Sequence, residues 1–377
     1  MKESSKIFLK QLFKEYYYIN SSRIAKEVNR ISQREIAYIS LETGKIIRHI
    51  GVKSKSDLFN LILTDVPAHL YHSAAYYLFP DREMDKKVLL AADLVFDIDA
   101  DKLTYKGAKI DYFYLCDECH EVYKSKREKC EKCGGKLREI EWLNDLNVAK
   151  KETMKLMRIL IDEFGFDPKG ITVYFSGNRG YHIHVSGGDV ENMDVRARLE
   201  IADYLKLIGY DLVYDRYPER RTFKRLKRIL EGREIISDLN EGEADKLRSI
   251  IKGDLDIQDK VKMLNTRLKE KIESYIRRNE GIEIDPVVTT DMHRLIRFPE
   301  SIHGGTGFIK RKVDDLTSFN PFNDAILLPG RKIDVYVEYS PAITLRGEEY
   351  GPFFRERARL PGYVAAFLIC KGVAEVE

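Results

Sequence analysis

An α+β fold with two insertions is what this 377-residue sequence predicts, and three observations carry the prediction. Segments with apolar residues three and four apart alternate with short apolar runs bounded by turn residues, as helices and strands do around a shared core. Between Cys116 and Leu137, two C-x-x-C pairs interrupt that alternation. From about Tyr214 to Gly281 the composition shifts to charged residues with Leu and Ile at helical spacing, after which strand-like segments return. A chain that leaves and rejoins one pattern has a core discontinuous in sequence: residues 1–213 and 282–377, with a knuckle at 114–138 and a mostly helical subdomain at 214–281.

The elements follow in order. Residues 4–30 have helical spacing, and REIAYISL and KIIRHIG read as a strand pair around the turn Glu42–Lys45. A helix is expected from about Lys55 to Tyr77, and the run KKVLLAADLVFDIDA then leads a buried strand into acidic residues. From Asn144 to Phe164, apolar positions three and four apart predict an amphipathic helix. GITVYFSG reads as a strand ending in a glycine turn, with YHIHVSGG as its hairpin partner and a helix over Val190–Ile208 beyond it. VVTT, HRLIRF and Ile333–Tyr339 are strand-like.

Composition excludes several classes. Hydrophobic residues make up 44% of the chain, enough for a sizeable core. The opening MKESSKIFLKQLFKEYYYI spreads its apolar residues among charges rather than forming a secretory h-region. The longest apolar candidate, near Val364–Cys370, falls far short of the about 18 residues that suggest a membrane span. The expectation is a cytoplasmic protein that does not enter the membrane. With 64 basic against 61 acidic side chains, the net charge of +3 says little about polyanions, so any basic surface must be local. The densest stretch is Arg216–Arg228, interleaved with Tyr217 and Phe223. It has the composition of a phosphate-tracking surface, though a charge run judged alone reads as a solvated helix face.

Four constellations carry chemistry. Asp97 and Asp99 flank Ile98 at the end of an apolar run, and alternation along a strand sends both carboxylates to one face. Adjacent like charges of this kind suit Mg²⁺ or Mn²⁺, whereas alone they could be a solvated turn. A calcium loop is excluded, because its required Gly and Glu positions hold Lys102 and Ala108. In VYFSGNRGYHIHV, the Gly177–Gly180 turn can offer amides to phosphate, with Ser176, Arg179 and His182 adding donors and His184 structural behind them. In EIDPVVTTDMHRLIRFPESIHGGTG, Asp285, Arg297 and His303 supply a further metal ligand, a phosphate clamp and a phosphate donor. Asp291 competes for the carboxylate role, and His293 with Arg294 could equally pack or pair on the surface. Finally Cys116, Cys119, Cys130 and Cys133, with ten residues between the pairs, give a closed structural zinc set, with His120 as an alternative ligand. Cys370 stands alone and reads as a small buried apolar side chain.

Taken together, these blocks resemble the small, catalytic subunit of the archaeal and eukaryotic type of DNA primase, and more closely its archaeal form. SQREIAYIS resembles the family's early S-x-R-E-F segment, LVFDIDADK its paired-aspartate motif, FSGNRGYHIHV its S-G-x-R-G-x-H motif, and IDPVVTTDMHRLIRFPESIHGGTG its third block. The resemblance implies that Asp97, Asp99 and Asp285 bind catalytic metal and that Ser176, Arg179, His182, Arg297 and His303 contact the triphosphate. Asn178 replaces a second arginine of the eukaryotic form, and Arg34 and Glu35 match an early pair, with Arg34 a further site candidate. It also implies a mixed-sheet core with an RRM-like unit, and a large regulatory subunit carrying an iron-sulfur cluster. The activity implied is synthesis of short RNA primers, with DNA as a further possible product, on single-stranded DNA. Two readings compete: a two-metal nuclease that attacks with water, and a non-catalytic zinc-containing nucleic-acid-binding module.

Overall fold

The computed structural model describes residues 1–143 and 145–377. Asn144, where the amphipathic helix was expected to begin, lies outside them. Helix α1 (Glu3–Ile24) buries Leu9, Leu12, Phe13, Tyr16 and Tyr17, which sit three to four apart as one stripe. A strand pair follows, β1 (Ile36–Ser40) and β2 (Ile46–Ile50), and then helix α2 (Lys55–Asp65), whose start is fixed by a capping box of Ser54 and Asp57.

The helix expected to run on to Tyr77 stops at Asp65. Val66 turns the chain in the left-handed region at φ 44°, and Pro67, which lacks an amide proton, opens strand β3 (Pro67–Ser73), followed by β4 (Ala75–Tyr77). The mixed apolar, aromatic and histidine run that follows Pro67 does not reveal its period, and the strand partners on both sides of β3 decide the outcome. Strands β5 (Leu89–Ala92) and β6 (Leu94–Asp99) divide the next apolar run.

The knuckle hangs from β7 (Asp111–Cys116), β8 (Val122–Tyr123) and β9 (Leu137–Trp142). Helix α3 (Asn147–Asp162), the hairpin β10 (Ile171–Phe175) and β11 (Gly180–Val185), and helix α4 (Val195–Lys206) come next. Four helices then enclose a buried cluster of their own around Leu226, Ile229, Leu268 and Ile272: α5 (Arg221–Leu230), α6 (Glu241–Lys252), α7 (Ile257–Met263) and α8 (Thr266–Glu280).

VVTT, expected as a strand, lies in the short helix α9 (Pro286–Thr290). Asp285 caps it by accepting from the Val287 amide, and Pro286 stands at the first helical position, where its fixed φ suits a helix start. That local chemistry outweighs the β preference of the branched run. The chain returns through β12 (Leu295–Arg297) and β13 (Arg311–Lys312). Near the end, helix Gly362–Cys370 is buried along nearly its whole length, so the apolar run there is core. No helix among the described residues is long and apolar enough to cross a membrane.

The result is an α+β fold in which two four-stranded sheets position the site. One has the order β12-β3-β1-β2 and the other β13-β10-β11-β6, each built from antiparallel neighbours. In the second, β6 presents Phe96 and Ile98 to the core and Asp97 and Asp99 to the opposite face.

Candidate active site and metal centres

Register alone places the first acidic pair beside its basic partner. Strand β11 pairs with β6 so that His182 lies opposite Asp97 and Gly180 opposite Asp99. Gly180 is needed for that approach, since a Cβ there would stand 2.0 Å from the Ile98 carbonyl oxygen. The Ser176 hydroxyl accepts from the amides of Asn178 and Gly180 and holds the turn closed. Gly177, at φ 85°, lets the turn pack on His303, with a would-be Cβ 2.9 Å from the His303 Cβ. Thr306 donates to the Gly177 carbonyl and ties the two loops together.

Between the two sheets lies a hollow of about 200 Å³. Asp97, Asp99, Ser176, Arg179 and His182 line it from one sheet; Arg297 and His303 line it from the other side. Asp285 is set beside rather than in it, where its amide donates to the Asp97 carbonyl (3.0 Å) and its carboxylate pairs with Lys102 at 2.8 Å.

The charges divide. On the acidic side, burial pushes the Asp97 carboxyl up to about 7, with the charge of Asp99 adding to it, and burial raises Asp99 as well. Burial also acts to raise Asp285, but the ammonium of Lys102 outweighs it and holds that carboxyl below its usual range. Oδ1 of Asp97 is buried without a hydrogen-bond partner among the described residues, and the His182 Nε2 stands 3.5 Å from it. A crowded carboxylate pair with an unsatisfied oxygen, made only of hard donors, fits a divalent cation of the magnesium or manganese kind.

On the basic side, Arg294 and Arg297 line the hollow and neither pairs with a carboxylate among the described residues. Arg297 stacks over Tyr71, which lies opposite it across β3 and β12, and hydrogen-bonds His69. Burial pushes the imidazoles of His182 and His303 well below their usual range, so both stand neutral and can each donate one N–H. Behind them Lys310 is wholly buried, its Nζ donating to the Arg297 carbonyl (2.8 Å) and lying 3.2 Å from the His184 Nε2. His184 is therefore packed behind the hollow. Arg179 differs from Arg297: Asp99, Asp101 and Glu141 all lie within 3.6 Å of its guanidinium.

The sequence reading missed several neighbours. Tyr71 and His69 fell in the segment expected as helix, Arg294 was left equally to pack or to pair on the surface, Lys102 closed the LVFDIDADK block without an assigned role, and Lys310 had no motif around it. Of the rival candidates, Asp291 is absent from the lining and accepts from the His293 amide, while His293 stacks on Tyr77. Arg34 is 3% exposed and lies elsewhere: it binds the carbonyls of Ser73 and Ala74, the Tyr76 hydroxyl and Asp93. Glu35 is likewise buried, against Lys87 and Arg48.

In the knuckle, Cys116, Cys119, Cys130 and Cys133 bring their sulfurs within 4.8 Å of one another, a group that could hold a metal ion. Tetrahedral thiolates about 2.3 Å from a common centre stand about 3.8 Å apart, so the group has the right size for one ion. His120, the alternative ligand, stands outside it. Its backbone sits at φ 56°, and Nδ1 faces Glu338 Oε1 at 3.6 Å.

Comparison with known proteins gives a consistent result. Residues 96–315 match the family model described as DNA primase small subunit. The DNA primase small subunit PriS of Nitrosopumilus maritimus is 31% identical, with 100% of both chains covered. That of Archaeoglobus fulgidus is 33% identical over 99% of each. Among solved structures, the polymerase domain from Mycobacterium tuberculosis Ligase D in complex with DNA covers 85% of this chain and 89% of its own at 10% identity, with a TM-score of 0.40, too distant a likeness to bear on the site.

Proposed function

This chain belongs to the DNA primase small subunit family and is the catalytic subunit of a DNA primase; on that premise, we propose that the hollow between the two sheets is where nucleotidyl transfer occurs. The observation that carries the proposal is the division of charge across about 200 Å³, with a carboxylate pair on one side and two guanidiniums without carboxylate partners among the described residues on the other.

Asp97, Asp99 and Asp285 would hold two cations, Mg²⁺ or Mn²⁺, Asp285 taking the one nearer the attacking 3′-hydroxyl. Bound there, such ions stabilise the attacking and leaving oxygens of an in-line displacement. Arg297 clamps the triphosphate, and neutral His182 and His303 donate N–H groups to its oxygens without adding charge. We add Arg294 to this set. Ser176 shapes the glycine turn by accepting from the Asn178 and Gly180 amides, and would set that turn against the phosphates. Arg179 holds Asp99 through its ion pairs and reaches the nucleotide from the same wall. The knuckle's four cysteines would bind Zn²⁺ as a structural ion, since four thiolates leave no position for water. We read residues 1–213 and 282–377 as the catalytic unit, with the knuckle at 114–138 and residues 214–281 as the helical subdomain, in a cytoplasmic heterodimer with a large iron-sulfur subunit.

The test is incubation of the purified chain, alone and with a large subunit, on single-stranded DNA with labelled ATP or dATP and Mg²⁺ or Mn²⁺, beside Asp97→Ala. New oligonucleotides that vanish in the variant support the assignment. Synthesis retained by Asp97→Ala would remove it, and shortening of the template would favour the nuclease reading.

A further inference from the structure

A second, larger groove of about 1010 Å³ lies away from the hollow, between the outer part of α3, the start of α5 and the end of α8. Its floor is neutralised. Arg221 pairs with Glu163 and Arg225 with Glu280, so those charges are satisfied within the protein. Its rim is not: Lys151, Arg158, Arg220 and Lys224 line the groove, and their side chains form no ion pair or hydrogen bond among the described residues. Asp162 and Glu219 are the acidic residues left on the same walls, and four cations outnumber them. Helix α5 opens into the groove with no side chain capping its first amides, which adds donors and a positive dipole end to the cations.

We propose that this groove binds the phosphate backbone of the single-stranded DNA template. Unpaired lysines and arginines along an open groove are what a polyanion needs, whereas ion pairs already made inside the protein contribute nothing to it. Single-strandedness follows from the aromatic neighbours. Arg220 lies over the ring of Tyr217, which is 59% exposed, and Arg220 and Arg221 also line an adjoining hollow that carries Tyr210 and the exposed Tyr214. Exposed rings beside a basic groove can stack unpaired bases, which a duplex keeps inside. The groove is also close to the chemistry. Glu280 in its wall is five residues from Asp285, a stretch that spans at most about 18 Å. This is the segment Arg216–Arg228 with a surface assigned to it, and the inference rests on the primase reading above.

The test uses the full chain with Lys151, Arg158, Arg220 and Lys224 changed to Ala, and Tyr217→Ala as a second variant. Binding of a labelled oligodeoxythymidine strand is followed by anisotropy over a range of salt concentrations, and primer synthesis is measured beside it. The expected result is weaker binding by the fourfold variant, with a salt slope reduced by about 0.7 for each phosphate that the protein no longer neutralises. Its KM for template should rise while kcat at saturating template holds. Tyr217→Ala should weaken binding with the slope unchanged. Unaltered affinity and slope in the fourfold variant, with circular dichroism unchanged, would overturn the proposal, and so would loss of large-subunit binding with DNA binding intact. Failure of the primase reading would look different, as wild-type protein that makes no metal-dependent product.

Discussion

The knuckle and the carboxylate hollow both gather side chains that could hold a cation, yet they are assembled in opposite ways. The knuckle draws its four sulfurs from Cys116–Cys133, one stretch of chain stapled by three short strands. The hollow draws on β6, the β10–β11 turn and the loop after β12, separated by some 200 residues of sequence and joined by strand register and by Thr306 reaching to Gly177. The donors differ in the same way. Four soft thiolates close a coordination shell and leave nothing to react, whereas two crowded carboxylates with an orphaned oxygen leave room for substrate. A site that only has to hold can be local; one that must hold metal, phosphate and a strand end together needs several elements converging.

That contrast is broken most directly by exchanging which site is damaged. Asp97→Ala should lower primer synthesis by about 10³-fold or more, since the charge stabilisation removed is several kcal/mol and each 1.4 kcal/mol is tenfold. Its melting temperature should not fall, because the substitution relieves a buried carboxylate crowded by Asp99. Cys130→Ser should do the reverse. Bound zinc, measured by metal analysis, should drop from about one per chain to none, and the melting temperature should fall while chain that remains folded keeps its nucleotide KM. If both variants lost activity and stability alike, the two sites would not be separable as holding and reacting centres.

The contrast also explains what could be read from the sequence. The cysteine spacing already names the four sulfurs that the structure gathers, and His120 stands outside that group, toward Glu338. Asp97 and Asp99 were legible because alternation along a strand is a local rule, and Ser176, Arg179 and His182 because a glycine turn between two strands has a local signature. Tyr71 and Arg294 were not. Their place depends on β3 pairing with β12, and β3 lies where Pro67–Tyr77 read as helix. Lys310 was hidden for another reason: between Ile309 and Arg311 it looks like a surface residue, and only the packing of both sheets makes it 0% exposed. VVTT failed because capping by Asp285 at one residue outweighed the preference of four.

Within the hollow, the two sides should separate kinetically. His182→Ala removes one donor to a charged group, worth about 1.5–3 kcal/mol, so the apparent nucleotide KM should rise by about 10- to 100-fold with a smaller change in kcat. Steady-state rates at varied nucleotide check this, and a pure kcat loss would place His182 at the metals instead of the triphosphate.

The smallest effect concerns Lys102, which sits on the boundary between holding and reacting. Its ammonium pairs with Asp285 at 2.8 Å and lies close enough to Asp97 and Asp99 that both favour its charged form. A cation held by Asp285 must therefore displace it. The pair is over a third exposed on the lysine side, so it is worth only about 0.2–1 kcal/mol, and Lys102→Met should lower the Mg²⁺ concentration for half-maximal synthesis by about 1.5- to 5-fold. A metal titration of activity at saturating nucleotide reads this. If the half-point rises instead, Lys102 does not compete for Asp285 but helps hold the bound nucleotide, and the boundary between the two sides of the hollow shifts by one residue.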